Sequence, residues 1–178
     1  MNATRHTTGS SYPSMAHWLA ASAHRPRAVR ALWAQGRTAT PISGPIWDTI
    51  EMPLGLVGLA ATYLAYRGRH VGPYLLCGAE STAWWLVPAG HGKELANVRH
   101  VKVLPPGSPL TASAPGTYNG DRLWVLPEAT DETPRPWLRL TSAEALRTAI
   151  DEAVRSRRPA YRSGGASLAA GTRPSATG

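Results

Sequence analysis

The sequence predicts an α+β fold, in which a mixed, mostly antiparallel sheet of roughly five to seven strands is flanked by helices. Two kinds of pattern alternate along the chain. Short apolar runs bounded by turn residues favour strands, and longer stretches of helical composition separate them. Hydrophobic residues make up 43% of the 178 residues, which suits one domain with a packed core. The predicted helices that flank the sheet span 27–35, 54–66 and 141–154.

Both ends of the chain differ in composition from its middle. Residues 1–14 are polar and rich in Ser and Thr, and residues 155–178 are dominated by Gly, Ser, Arg and Ala, so we expect disordered tails around a domain at 15–154. The net charge is +8, yet residues 31–154 carry 10 basic and 11 acidic residues, so the basic excess lies at the ends. Basic tails attract polyanions without sequence specificity or serve as solubilising ends, and both interpretations stay open.

The first predicted elements are two helices. Residues 15–24 have helical composition, and Pro26 is placed in the first turn of a second helix at 27–35, which Gly36 ends. The spacing i, i+3, i+4 gives this second helix one apolar face, made of Val29, Leu32 and Trp33.

The stretch 38–58 organises the rest of the chain. Ile42 is predicted to belong to one strand and residues 46–52 to the next, with Pro and Gly between them. The following helix, 54–66, is apolar nearly all round, which is typical of a helix buried against a sheet. Basic residues and a glycine at 67–70 end it.

The second half of the chain predicts further strands and a last helix. Residues 71–77 and 82–87 form a predicted hairpin. The pattern Thr-Ser-Ala-Glu is a capping box, in which Thr141 caps the last helix and Glu144 reaches back. The remaining predicted elements are a short helix at 93–98 and strands at 101–104, 110–114 and 122–126.

Composition also limits the compartment. The single cysteine, Cys77, excludes an internal disulfide and favours a reducing compartment. The longest apolar run, 54–65, is shorter than the roughly 20 residues that a bilayer requires. No apolar region with a small-residue cleavage site opens the chain, so we expect no signal peptide and a cytoplasmic protein without membrane partners.

Two segments carry a resemblance to a known family. Residues 28–53 contain a helix with Trp33, a TATPISG run and then Asp48 on a strand, and they resemble the opening of the bifunctional DNA primase/polymerase N-terminal domain, the prim-pol domain. Residues 101–127 look like the family's late segment. The likeness is to short, divergent actinobacterial members, and it implies a prim-pol-like α+β fold and a nucleotidyltransferase role in DNA replication. In the late segment the matching positions are Ala114, Pro115, Gly116, Thr117, Tyr118, Gly120 and Trp124.

The resemblance implies a catalytic site of three carboxylates that hold two Mg²⁺ or Mn²⁺ ions. Asp48 matches the first acid and is the candidate metal ligand. Ile50 stands where the second acid belongs, and Glu51 comes one residue late, so it should point to the opposite face unless a bulge re-aims it. The family's His is absent from 81–84, and the third acid is absent from 98–102. The metal ions are therefore expected only if the acids assemble.

Other residues are candidates for contacts with nucleotides or nucleic acid. Arg99, His100 and Lys102 cluster on one stretch and could contact phosphates. Trp84 and its neighbour Trp85 face opposite sides of a strand, so one belongs to the core and the other could stack on a base. Structural roles compete with the catalytic ones: Asp48 could pair with an arginine or cap the helix at 54, and Glu51 could lie at that helix's N-terminus.

Three functional hypotheses follow. The first is a degenerate prim-pol domain that binds nucleic acid or nucleotide without efficient nucleotidyl transfer. The second is an active primase/polymerase with an atypical metal site at Asp48 and Glu51. The third is a protein-interaction or regulatory module on the same fold. The histidines lack zinc-ligand spacing, and no Walker or Rossmann fingerprint is present in the sequence.

Overall fold

A computed structural model describes residues 12–128, 130 and 133–157, which form nine regular elements and two short 3-10 helices. The helix at 54–66 is confirmed with the bounds that the sequence predicted. The first helix spans Tyr12–Ala20, so it begins and ends earlier than the predicted 15–24. The elements are α1 (Tyr12–Ala20), α2 (Pro26–Ala34), β1 (Trp47–Pro53), α3 (Leu54–Tyr66), β2 (Tyr74–Cys77), β3 (Thr82–Pro88), the 3-10 helix Gly92–Leu95, β4 (Lys102–Val103), β5 (Arg122–Val125), the 3-10 helix Pro136–Leu138 and α4 (Ala143–Ser156).

The five strands form one sheet in the order β4-β1-β3-β2-β5. Every pairing between these strands is antiparallel, so the α+β class is confirmed and the described sheet is antiparallel throughout rather than mixed. The predicted hairpin is β2–β3. Strands β1 and β3 pair over their full length, from Trp47 opposite Pro88 to Pro53 opposite Thr82.

The two faces of the sheet have separate hydrophobic cores. Side chains alternate along a strand, so neighbouring residues enter different cores. The core under α1 and α2 contains Trp47 and Trp84. The core under α3 and α4 contains Ile50, Met52 and Trp85. We call these surfaces the α1–α2 face and the α3–α4 face; Trp84 and Trp85 lie on opposite ones, as the sequence predicted.

Two predicted strands pair with each other outside the sheet. The segment around Ile42 and the segment 110–114 form an antiparallel ribbon with isolated bridges, in which Ala39 lies opposite Ala112. The backbone N–H of Ala39 donates to the carbonyl of Ala112 over 2.9 Å, and the reverse bond measures 2.8 Å. This ribbon packs into the core on the α1–α2 face through Ala39, Leu110 and Ala112.

The cap of α4 differs from the predicted one by one residue. Ser142 is the N-cap, and its hydroxyl accepts a bond from the N–H of Ala145 over 3.2 Å. Thr141 is buried instead, and its hydroxyl accepts bonds from the N–H of Gly72 (2.7 Å) and from Nε1 of Trp85 (2.9 Å). A buried hydroxyl that satisfies two buried donors is worth more to the fold than a second cap, since each donor would otherwise lack a partner.

The predicted tails fall mostly beyond the described residues. Residues 1–11 and 158–178 lie outside them, while 12–14 belong to α1 and α4 extends to Ser156. In the described part of the chain, none of the helices combines the length and apolar character that crossing a membrane requires.

Candidate functional site

Asp48 lies on the α3–α4 face of β1 and holds a loop in place. Its Oδ2 accepts a bond from the backbone N–H of Gly92 over 2.7 Å. A Cβ on Gly92 would come within 2.9 Å of the Asp48 side chain and 3.0 Å of Cγ1 of Val103, so only glycine allows this approach. Among the residues that the structure describes, Asp48 pairs with no arginine, and it does not cap α3; it fixes the start of the 3-10 helix Gly92–Leu95 against β1.

Glu51 lies on the opposite face of the same strand. Its Oε2 accepts a bond from Nε1 of Trp84 over 3.2 Å, and its Oε1 lies 3.8 Å from Nζ of Lys102. No acidic residue occupies the first turn of α3, so Glu51 is not the helix N-terminal acid that the sequence suggested. The carboxylate instead satisfies a buried indole and pairs with an edge-strand lysine.

A metal site at Asp48 and Glu51 does not fit this geometry. The β1–β3 register runs without a bulge, so nothing turns Glu51 toward the face of Asp48. Ile50 is fully buried on the Asp48 face, in the position of the missing second acid. Within 12–128, 130 and 133–157, no three His, Cys, Asp or Glu side chains come together to hold a metal ion. Asp48 and Glu51, which the sequence offered as a catalytic, ion-holding pair, are therefore not brought together by the sheet, and we derive no step through Mg²⁺ or Mn²⁺.

Trp84 is not available for stacking on a base. Its side chain is 6% exposed, and its indole N–H is bonded to Glu51. The guanidinium of Arg122 covers the ring, with Cζ 4.9 Å from the centroid, and also pairs with Glu80. The ring that the sequence offered as a nucleic-acid contact is therefore covered in this structure. The pattern of a strand does not reveal which of two tryptophans is covered by a neighbouring strand's side chain.

Arg99, His100 and Lys102 are exposed together at the edge of the sheet. His100 has a left-handed backbone with φ 66°, a conformation in which His is enriched, and it turns the chain into β4. Lys102 lies opposite Glu51 and makes the ion pair described above. Arg99 has no carboxylate of the described residues within 4.0 Å, so its charge remains available to a ligand.

A cavity of about 330 Å³ lies between the end of α3 and the start of α4. We call it the α3–α4 cavity. The sequence did not predict it: the basic residues after α3 were interpreted only as a helix end, and the contacts with α4 span more than 70 positions. Its lining combines two arginines, one carboxylate, three hydroxyl side chains and apolar groups, from Tyr63, Leu64, Arg67, Arg69, Ser142, Glu144, Ala145 and Thr148.

The wall that carries the arginines has a defined backbone. Gly68 adopts φ 62°, and the N–H of Arg69 donates to the carbonyl of Leu64 over 2.8 Å, which closes α3 with a Schellman-type turn. The guanidinium of Arg67 lies over the ring of Tyr63, 5.3 Å from its centroid. Both arginines are thereby held beside the cavity.

The segment between the two helices is fixed by His70 and Thr141. Nε2 of His70 lies 2.5 Å from the carbonyl oxygen of Arg139. Partial burial lowers the pKa of His70 below its ordinary value; the hydrogen bond to Arg139 raises it, and the charge of Arg139 lowers it. A Cβ on Gly72 would come within 2.7 Å of the backbone N of Thr141, so the segments at 70–72 and 140–141 are in close contact.

Comparison with known proteins finds no relative for this arrangement. No protein-family model matches the chain. No curated protein and no solved structure is significantly similar to it.

Proposed function

We propose that this chain is a degenerate prim-pol-like domain that binds nucleic acid or nucleotide in the cytoplasm without efficient nucleotidyl transfer. The separation of Asp48 and Glu51 by the sheet supports the loss of transfer. Two ions need carboxylates that converge on one side, and each of these acids already has a structural partner. The order of Trp33, the TATPISG run and Asp48 supports the kinship, since it is the order that the resemblance rests on.

The exposed cations at the β4 edge support binding of a polyanion. Arg99 and Lys102 stand three positions apart at an open strand edge, and His100 lies between them. Phosphate contacts of this kind bind without reading sequence, and each one releases counterions, so affinity falls with salt. Lys102 would exchange its ion pair with Glu51 for a phosphate at small cost, because an exposed ion pair contributes little.

Binding of a single-stranded oligonucleotide, measured by fluorescence anisotropy over a range of salt concentrations, tests this function. For a single strand the slope of log affinity against log salt is about −0.7 per phosphate contact. Arg99→Gln with Lys102→Gln removes two such contacts, so the magnitude of the slope should fall by about 1.4. The matched control is Arg25→Gln with Arg27→Gln, which removes the same charge from another exposed site and should leave the slope unchanged.

A nucleotide-incorporation assay with Mg²⁺ or Mn²⁺ tests the absence of transfer. The native chain and Asp48→Ala should give the same background signal. Incorporation that depends on Asp48 would support the hypothesis of an active primase/polymerase instead. If neither an oligonucleotide nor a nucleotide binds even at low salt, the protein-interaction module becomes the remaining hypothesis.

A further inference from the structure

We propose that the α3–α4 cavity is a binding site for a small phosphate monoester that carries sugar hydroxyls. The proposal concerns a different surface from the β4 edge, and it does not depend on oligonucleotide binding. It rests on the charge of the cavity, on the rigidity of its walls and on the hydroxyl groups that line it.

The charge of the cavity favours a phosphate. Neither Arg67 nor Arg69 has a carboxylate of the described residues within 4.0 Å, although Glu144 lines the same cavity. The guanidinium groups and the carboxylate therefore occupy separate parts of the wall. Guanidinium is the side-chain group whose paired N–H donors match two phosphate oxygens, so two unpaired arginines at one cavity select this anion.

The walls of the cavity are held in place before any ligand arrives. Gly68 closes α3 and sets the position of Arg69, while Tyr63 holds the guanidinium of Arg67. Thr141 ties the first residues before α4 to Gly72 and to the sheet. A site whose groups are already fixed loses less conformational entropy on binding, which increases affinity.

The remaining lining selects a ligand with hydroxyl groups. Glu144 has an exposed carboxylate that can accept bonds, and Tyr63 and Thr148 add hydroxyls to the same cavity. The hydroxyl of Thr148 donates to the carbonyl of Glu144 over 3.0 Å and can still accept a bond from a ligand. Glu144 also repels a second anionic group, so the ligand carries its charge at the arginines and neutral hydroxyls elsewhere. The volume of about 330 Å³ is at the lower end of the roughly 300–1,000 Å³ range of small-molecule sites. Sugar phosphates and nucleoside monophosphates share this chemistry.

A purely structural role for the arginines makes a different prediction. Cations at a helix C-terminus stabilise it through the macrodipole, and Arg67 and Arg69 follow α3 directly. In that case Arg67→Gln with Arg69→Gln would lower thermal stability, and no ligand would raise the stability of the native chain.

Isothermal titration calorimetry of the full chain with four probes separates these outcomes. The probes are AMP, ribose 5-phosphate, inorganic phosphate and ribose. We expect AMP and ribose 5-phosphate to bind, inorganic phosphate to bind more weakly than either, and ribose not to bind. Tighter binding of AMP than of ribose 5-phosphate identifies a nucleotide site, and equal affinity identifies a sugar-phosphate site.

Variants locate the binding. Arg67→Gln with Arg69→Gln should weaken AMP binding by at least about tenfold, because it removes the charge-assisted bonds to phosphate. The control Arg25→Gln with Arg27→Gln should change it less than twofold, and Arg99→Gln with Lys102→Gln should leave it unchanged. Because Arg99→Gln with Lys102→Gln changes only the β4 edge, it distinguishes AMP binding at the α3–α4 cavity from oligonucleotide binding at that edge.

If the double arginine variant fails to fold, amide shifts of the native chain decide the question. AMP should then shift the backbone resonances of Ser142, Glu144 and Ala145 more than those of the β4 edge. Three results would overturn the proposal. The first is that neither AMP nor ribose 5-phosphate binds, and the second is that inorganic phosphate binds as tightly as they do. The third is that Arg67→Gln with Arg69→Gln and Arg25→Gln with Arg27→Gln weaken AMP binding equally.

Discussion

Asp48 and Glu51, three residues apart on one strand, face opposite sides of the sheet, and each carboxylate has its own structural partner. Asp48 binds the backbone N–H of Gly92, and Glu51 binds the indole of Trp84. Because strand alternation fixes this arrangement, no side-chain rotation brings the two carboxylates to one ion.

Asp48→Ala should destabilise the protein while leaving any nucleotide incorporation at background. The substitution removes a charge-assisted acceptor from Gly92, and we expect a loss of about 1–2 kcal/mol in the free energy of unfolding. Urea unfolding followed by tryptophan fluorescence measures it. Asp48→Asn is the control, since its amide oxygen still accepts the bond, and it should lose less than half as much. Equal losses in the two variants would contradict a hydrogen-bonding role.

Gly92→Ala should destabilise the protein by about 1–3 kcal/mol, since the added Cβ would overlap the Asp48 side chain and approach Val103. Gly78→Ala is the matched control, because no heavy atom lies within 4 Å of its Cβ position. The cost of Gly92→Ala should be smaller when Asp48 is already alanine, because the substitutions share one contact. Strict additivity in urea unfolding would argue against that contact.

Thr141→Val should cost more stability than Ser142→Ala. The first variant leaves the N–H groups of Gly72 and Trp85 buried without an acceptor, and we expect a loss of at least about 2 kcal/mol. The second removes an N-cap bond and should cost about 1 kcal/mol. Thr141→Ser keeps the hydroxyl and serves as control. Differential scanning calorimetry of the three variants gives the order, and the reverse order would restore the capping assignment made from the sequence.

The stability of the native chain should fall as the pH drops below about 6.5, in part through His70. Burial lowers the pKa of His70 in the folded state, so below the ordinary value the unfolded chain binds more protons and is favoured. Above that pH the imidazole is neutral in both states and contributes no pH dependence. His70→Gln should show a smaller loss between pH 7.5 and pH 5.5 in urea unfolding. An identical pH profile for the two chains would exclude this contribution.

The sequence predicted the elements whose pattern of apolar residues lies within one continuous segment. Helix α3 could be bounded to the residue because its apolar surface runs nearly all round and stops at basic residues and Gly68. Strand β1 alternated as expected, which also placed Ile50 correctly on the Asp48 face. The α+β class followed from these elements.

The features that the sequence did not reveal depend on contacts between distant residues. The capping pattern could not show whether Thr141 or Ser142 is the N-cap, because the N–H groups that donate to the hydroxyl of Thr141 lie 69 and 56 positions away in the sequence. The cover over Trp84 comes from Arg122 on another strand. Arg69 and Glu144 share a cavity only after α3 and α4 have packed side by side.

The hydroxyl of Thr141 has a consequence for the order in which the molecule can assemble. It contacts Gly72 and Trp85, which the ribosome delivers long before residue 141 itself. A nascent chain that ends before residue 141 would leave the indole N–H of Trp85 and the backbone N–H of Gly72 without this acceptor. This side of the domain can therefore be completed only after the ribosome has added residue 141 and α4.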